Sequence, residues 1–271
     1  MSEIHGSWFI DFVFLYSISD FAMAQDLSGL AFEQQQALLD GGALEPRANH
    51  LPNFENPANF NTLTRTVIGL AFGICLMSVL TRFFVSWENW NRINLADGIL
   101  LFGLGTYVAY GAVVLDSTKQ VGYLIHQWDV RLRDAIYLSR NFTIGSNLFR
   151  ISSASVKAAI LLEWLHIFNQ TQERNSFFWT SHAVLWFNII SFTVACIIFS
   201  VACKPYAKNW DPFLHGTCYD TRPVYVASTA FYLLVDLFIL ALPQRIIWRL
   251  HMTKRKKQGV AAFFGVGVLA R

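Results

Sequence analysis

The chain has 271 residues, of which 54% are hydrophobic and only 14% are charged. Soluble globular domains carry about 25% charged residues, so this composition and a mean hydropathy of +0.37 indicate an integral membrane protein. The formal charge of +3 is small and scattered along the chain, which argues against a nucleic-acid partner. Four cysteines are too few for a disulfide scaffold, although one pair can still be bridged.

Residues 1–61 form a polar N-terminal region ahead of the first long apolar segment. The part from 26 to 61 is rich in Asn, Gln, Pro and Gly, which is typical of a mobile tail. Before it lie a short apolar run, Trp8 to Tyr16, and a small-x-small triplet, Ala22 to Ala24. These features leave two interpretations open, a cleaved signal peptide and an interfacial helix.

Five later segments are long and apolar enough to cross a bilayer, which takes roughly 20 residues for about 30 Å of hydrocarbon. The third is the weakest because Arg150 and Lys157 interrupt it, and the fifth, apolar from Val224 to Gln244, contains Asp236. Residues 62–271 therefore predict an all-α fold, a polytopic transmembrane helix bundle that has the lipid bilayer as its partner. The predicted helices lie at about 66–85, 98–115, 142–162, 177–202 and 224–247.

A sixth apolar segment occupies 259–271 and would reach only roughly 20 Å as a helix, which is too short to span. We interpret it as the first part of a sixth helix that the chain does not complete. A re-entrant or interfacial helix is the alternative.

The orientation of the helices is predicted from Lys and Arg in the short connecting segments. Their number is equal on the two sides, but the densest block, Lys254 to Lys257, directly follows the fifth span. Placing this block in the cytosol puts the N-terminus outside. We expect a multi-pass protein of the plasma membrane, with an internal membrane as the alternative.

Charged side chains within predicted spans are candidate functional groups, because a charge in a bilayer is expensive. They are Arg150 and Lys157 on the third span and Asp236 on the fifth. If both helices run inward, Asp236 lies within roughly 6 Å of either cation along the axis, so both pairings are open. A functional polar core and a purely structural bridge also remain open. Pro243, near the end of the fifth span, predicts a helix kink.

Two segments between predicted spans carry polar and aromatic residues on the side that we place outside. One is His126-Gln-Trp128-Asp129, and the other runs from Cys203 to Cys218 with Trp210 and Asp211 between the cysteines. Among Cys203, His215 and Cys218 only one pair has zinc-like spacing, so we predict no metal. Thiols outside the cytosol oxidise, so we predict a Cys203–Cys218 disulfide that closes a loop over the bundle. No catalytic motif is present, and no cofactor is predicted.

Several ordered motifs together resemble those of the fungal rhodopsin-domain integral membrane proteins. The motifs are RFF at 82–84, Gly122 with HQWD at 126–129, KAAILLEWLHIF at 157–168, CKP…WD…GTC at 203–218, and D…LP…WRLHM…K at 236–254. Ala159, Trp164 and His166 depart from the residues that the family often has there. The resemblance implies a seven-helix, receptor-like architecture, here ending within helix six, so family roles on helix seven cannot be transferred.

The resemblance implies a receptor-like membrane protein with a small-molecule ligand and a cytoplasmic signalling partner at the basic loop 249–257. Two other classes stay open. One is a membrane protein of a secondary-metabolite or mycotoxin biosynthetic cluster, with or without enzyme activity. The other is a small-molecule or ion carrier that uses the core formed by Arg150, Lys157 and Asp236.

Overall fold

The structure is a computed structural model that describes residues 29, 31–44, 52–55, 57, 59–88, 94–122, 125–168 and 176–249. The candidate signal segment, the basic block 254–257 and the apolar segment 259–271 lie outside these residues. The described chain is mostly helical, as predicted. Its helices are α1 (Phe32–Asp40), α2 (Asn61–Glu88), α3 (Leu95–Gln120), α4 (Leu132–Phe168), α5 (Ser176–Val201) and α6 (Arg222–Arg249).

Four of these helices are long and apolar enough to cross a membrane, which supports a multi-pass membrane protein. The candidate spans are Asn61–Arg82, Leu95–Gln120, Phe177–Val201 and Pro223–Leu242. Their large apolar side chains, such as Leu70, Ile74 and Ile190, are largely exposed. Such exposure would be unfavourable in water but suits a lipid-facing surface, because lipid tails are as apolar as these side chains.

The third predicted span lies inside α4, which has 37 residues and is about 55 Å long. The helix itself is therefore present, but it is not among the four candidate spans. The physical reason is its composition, since Arg150, Lys157 and polar residues such as Ser152 dilute the apolar side chains of this segment. A crossing by α4 remains a prediction.

The chain divides into two compact units. Unit one takes residues 1–93, 104–152 and 196–222, and unit two takes 94–103, 153–195 and 223–271. The core of unit two is formed by α4, α5 and α6, where Leu161 and Val235 are fully buried. Around them pack Ala158, Val184, Leu185, Ile239 and Leu242. Most of these core residues lie three, four or seven positions apart along their helix, so they share a face.

Glycine decides where α3 ends. Gly122 lies just beyond the helix with φ +112°, a backbone conformation that residues with a Cβ rarely adopt. Its N–H donates to the carbonyl of Ser117 at 3.1 Å, which satisfies one of the free carbonyls at the helix end. The chain can then turn toward the HQWD segment.

The Cys203–Cys218 disulfide that the sequence predicted is present. It joins two short antiparallel strands, β1 (Cys203–Lys204) and β2 (Thr217–Cys218). Gly216 is required before β2, because a Cβ there would lie 2.2 Å from the carbonyl oxygen of Lys204. Inside the loop the buried Lys208 donates from Nζ to the carbonyl of Leu214 at 2.8 Å. We call residues 203–218 the disulfide loop.

A described part of the N-terminal region forms local structure within unit one. Residues 32–40 form α1, and Gly42 makes an antiparallel bridge with Arg131. Whether the region as a whole is mobile stays a prediction.

We expect only Cys75 and Cys196 to react with a maleimide reagent in denatured, non-reduced protein, because both are free thiols in the structure. After reduction all four cysteines should be labelled, and mass mapping of peptides reads both states. Opening the bridge by Cys203→Ser should cost about 3 kcal/mol of loop stability, since the bridge limits the unfolded chain. Labelling of Cys203 and Cys218 before reduction would contradict the bridge.

Candidate functional site

An ion pair lies among the apolar helices of unit two. Nζ of Lys157 on α4 is 3.0 Å from Oδ1 of Asp236 on α6, and their side chains are only 12% and 13% exposed. Of the two pairings that the sequence left open, the structure shows the one with Lys157. A functional role for this pair remains a prediction.

The helical repeat explains why these two charges meet. Lys157 directly precedes the core residue Ala158, and Asp236 directly follows the core residue Val235. Each charge therefore lies at the edge of the face that its helix buries. Tyr232, one turn before Asp236, places its ring centroid 5.4 Å from Nζ of Lys157. An aromatic face at this distance attracts a cation, so Tyr232 stabilises the charged form of Lys157.

The energetics make the pair a strong restraint between α4 and α6. Desolvation of both ions offsets much of their attraction, so the net gain over an apolar pair is small. Removal of one partner is different, because it leaves an uncompensated charge in a nonpolar environment and typically costs about 3–5 kcal/mol. The pair therefore strongly disfavours any arrangement of unit two that separates the two charges without replacing one.

Two polar residues of α5, missed by the sequence analysis, lie in the same core. Ser181 and Asn188 are seven residues apart, so they share a helix face, and both are fully buried. Nδ2 of Asn188 donates to the carbonyl of Ala154 on α4 at 3.2 Å. Within the described residues, Oγ of Ser181 has no hydrogen-bond partner. Their seven-residue spacing in a span without Asp, Glu, Lys or Arg was the available signal.

Arg150, the third predicted intramembrane charge, lies in unit one. Its guanidinium carbon is 4.1 Å from the centroid of the Phe199 ring, which is a cation–π contact. Its Nη1 also donates to Oδ1 of Asn147 one turn earlier, at 3.3 Å. These contacts hold the side chain along α4 and against α5.

The HQWD segment is built as a compact turn in unit one. The rings of His126 and Trp128 stack with centroids 4.5 Å apart. Asp129 is buried, and its Oδ1 accepts a hydrogen bond from the N–H of Asn53 at 2.9 Å. The three predicted residues of this segment are thus neighbours, and the carboxylate faces the N-terminal region.

The two predicted residues of the disulfide loop stabilise its turn. Trp210 packs edge-on against Tyr206, with ring centroids 5.2 Å apart. Oδ1 of Asp211 accepts a hydrogen bond from the N–H of Phe213 at 3.0 Å, which is a local turn contact. No three potential metal ligands cluster within the described parts of the chain.

Pro243 lies inside α6, whose backbone remains helical to Arg249. Whether the helix bends there stays a prediction.

The comparisons with known proteins give one matching family model, the fungal rhodopsin domain, over residues 81–271. Fugralins biosynthesis cluster protein 2 of Gibberella zeae is 30% identical over 86% of this chain and 58% of its own length. SAT4 family membrane protein of Emericella nidulans is 26% identical over 59% of this chain and 41% of its own length. Receptor GIN3 of Arthrobotrys oligospora is 24% identical over 72% of this chain and 48% of its own length.

The chain thus spans about half the length of these curated relatives. No solved structure matches it.

We expect Lys157→Asp and Asp236→Lys each to lower the yield of folded protein severely, because each leaves two like charges together in unit two. The double variant should restore the yield, since it re-forms the pair in reverse. Fluorescence-detected size exclusion in detergent measures this, with Glu33→Lys on the exposed face of α1 as a charge-reversal control. If the double variant lost as much yield of folded protein as the two single variants together, the pair would not couple the helices.

Ser181→Ala should change thermal stability little, because it removes a buried hydroxyl without breaking a hydrogen bond to any described residue. Asn188→Ala should lower the free energy of unfolding by about 1–2 kcal/mol, because it removes the bond to Ala154. A thermal melt of both variants in one detergent compares them directly. Equal losses would contradict the assigned difference.

Proposed function

Because the chain belongs to the fungal rhodopsin domain family, we propose that it is a membrane receptor whose resting state is held by the Lys157–Asp236 pair. The observation that carries this proposal is an almost fully buried ion pair between α4 and α6, packed beside the apolar core of unit two. Receptors need two arrangements of their helices with a small difference in free energy, so that a ligand can shift the populations.

A buried ion pair suits this role because it responds to charge. An acidic or basic small molecule that replaces one partner would release the other helix without leaving a bare charge. A neutral contact of the same size would lack this selectivity, since burial of an apolar group is non-directional. We therefore propose a charged small molecule as the ligand.

The disulfide loop supports the orientation with the N-terminus outside. A bridge persists where thiols oxidise, so the end of α5 and the start of α6 would lie on the non-cytosolic side. If α2 to α6 each cross once, the N-terminus lies on that same side. The segment 249–257 would then face the cytosol and offer its basic residues to a signalling partner, and the plasma membrane is the proposed location.

The second candidate is a role in a biosynthetic cluster, favoured by the similarity to fugralins biosynthesis cluster protein 2. In that role the protein would lie in an internal membrane and act on, or carry, a secondary metabolite. The Lys157–Asp236 pair would then bind or move the metabolite rather than transmit a signal.

One experiment in the host organism distinguishes the two candidate functions. Strains carry the wild-type gene, a deletion, or the charge-neutral double variant Lys157→Met/Asp236→Leu, which keeps apolar volume and so should preserve the fold. A fluorescent tag reports location, and early transcript changes and metabolite profiles are recorded together. The reversed pair, Lys157→Asp/Asp236→Lys, is the matched control that keeps both charges.

For a receptor we expect the tag at the plasma membrane and early transcript changes in both the deletion and the neutral variant. Loss of a single metabolite series with unchanged early transcripts, together with an internal location, would overturn the receptor in favour of the cluster role. Adjacent polyketide or terpene synthase genes would point the same way.

A further inference from the structure

The buried face of α5 in unit two contains a serine whose hydroxyl is not used. Ser181, Val184, Leu185 and Asn188 are all buried, and their spacing of three, four and seven positions places them on one face. Ser181 is fully buried, and none of the described residues forms a hydrogen bond with its Oγ. A polar group left unpaired in a nonpolar core is unfavourable, so this hydroxyl is a candidate contact for a bound molecule.

Other hydroxyl side chains of α5 and α6 are satisfied within their own helix. Oγ1 of Thr193 donates to the carbonyl of Ile189 at 2.8 Å, and Oγ of Ser228 donates to that of Tyr225 at 3.0 Å. Such a bond to the preceding turn is the usual arrangement of Ser and Thr inside a helix. Ser181 makes no bond of this kind to a described residue, so its O–H can donate to another group.

The hydroxyl of Ser181 lies about one helical turn from the ion pair along the helix axes. The connection between α4 and α5 is short, so the two helices run antiparallel. Asn188 donates to the carbonyl of Ala154, so these two residues lie at the same level. Seven residues away on each helix, Ser181 is therefore level with Leu161. Lys157 lies four residues before Leu161, about 6 Å along the axis from the level of Ser181.

A carboxylate matches two donors at this separation. Nζ of Lys157 and Oγ of Ser181 both donate hydrogen bonds, and two bonds of about 2.8 Å to the oxygens of one carboxylate would cover the distance. Oδ1 of Asp236 now lies 3.0 Å from Nζ of Lys157. A carboxyl group on a ligand has the same size and shape as that of Asp236, so the exchange of one for the other requires little additional volume beside the lysine.

Tyr232 determines which partner of the pair is exchanged. Its ring centroid lies 5.4 Å from Nζ of Lys157, so the lysine keeps one attractive contact when Asp236 leaves. An acidic ligand has to separate Lys157 from Asp236 alone. A basic ligand would have to displace the Lys157 ammonium from the carboxylate and from the ring together, which favours the acid.

We propose that the ligand is a carboxylic acid that binds to Lys157 and Ser181 in place of Asp236. This inference rests on the proposed function and names the ligand class of the same site. The acid enters un-ionised, its O–H bond breaks, and the proton forms a new O–H bond on the carboxylate of Asp236. The ligand carboxylate then pairs with Lys157. The net charge of the core does not change, so the release of α6 leaves no bare ion.

The first test measures the binding of radiolabelled phenylbutyric acid to the full chain in lipid nanodiscs, with empty nanodiscs subtracted for partition into lipid. Wild type should bind this acid, and phenylbutylamine should bind about tenfold more weakly or less. Ser181→Ala should weaken binding of the acid about tenfold, because one hydrogen bond to a charged group is lost. Ser228→Ala is the matched control and should bind as wild type does, since that hydroxyl is bonded within its own helix.

The alternative role of Ser181 is only to let the helices approach, and alanine would fill that role equally well. Equal binding of the acid by wild type and Ser181→Ala would therefore overturn the proposal. Equal affinities of wild type for the acid and the amine would also overturn it.

A second test does not depend on the body of the ligand. Asp236→Asn leaves Lys157 without its carboxylate, so we expect a low yield of folded protein in fluorescence-detected size exclusion. Acetate should raise this yield by replacing the missing carboxylate, whereas sodium chloride at the same ionic strength should not. The double variant Lys157→Met/Asp236→Asn should show no effect of acetate. A yield of Asp236→Asn that acetate leaves unchanged would overturn the proposal.

The two binding tests and the experiment in the host organism can fail separately. If the acid binds through Ser181 but the host strains show the cluster role, the receptor is wrong and the acid site stands, with an acidic metabolite as its occupant. If no acid binds while the strains behave as expected for a receptor, only the ligand class is wrong.

Discussion

The ion pair between Lys157 and Asp236 constrains unit two more than any single apolar contact does. Its two charges are nearly buried, and they lie beside the apolar core that α4, α5 and α6 form. An apolar core tolerates sliding between neighbouring helices, since dispersion and burial are non-directional. A pair of charges in the same place does not, because a shift of a few ångströms exposes each ion to an environment without a partner. The register between α4 and α6 follows from this contact.

The other polar contacts of the core act in the same way on a smaller scale. Asn188 ties α5 to the backbone of α4 through one hydrogen bond, whereas Ser181 contributes a small side chain that lets the helices approach. Tyr232 adds its ring beside Lys157. A few polar groups thus set the register of the three helices, and apolar side chains fill the space between them. This division of roles suits a protein whose outer surface faces lipid.

Unit one uses a different physical principle, because its connecting segments are stabilised by covalent and main-chain bonds. The disulfide loop is closed by its bridge and tightened at Gly216, where no Cβ fits. The bridge between Gly42 and Arg131 is likewise formed by backbone groups. In both cases glycine permits a close backbone approach, and the specific position of that glycine decides the local geometry.

The sequence by itself determined the helical class, the positions of most helices and the membrane setting, because hydrophobic length and the scarcity of charge are properties of contiguous residues. It also limited the partner of Asp236 to two cations on one helix and identified Cys203 and Cys218 as the pair to be bridged. Only the tertiary structure decided between Lys157 and Arg150. Both cations lie at similar axial distances from Asp236, so the rotation of each helix about its own axis determines which one faces the carboxylate. The tertiary structure alone found Asn188 and Ser181 in the core and the bridge between Gly42 and Arg131, because contacts between residues far apart in the chain leave no local pattern.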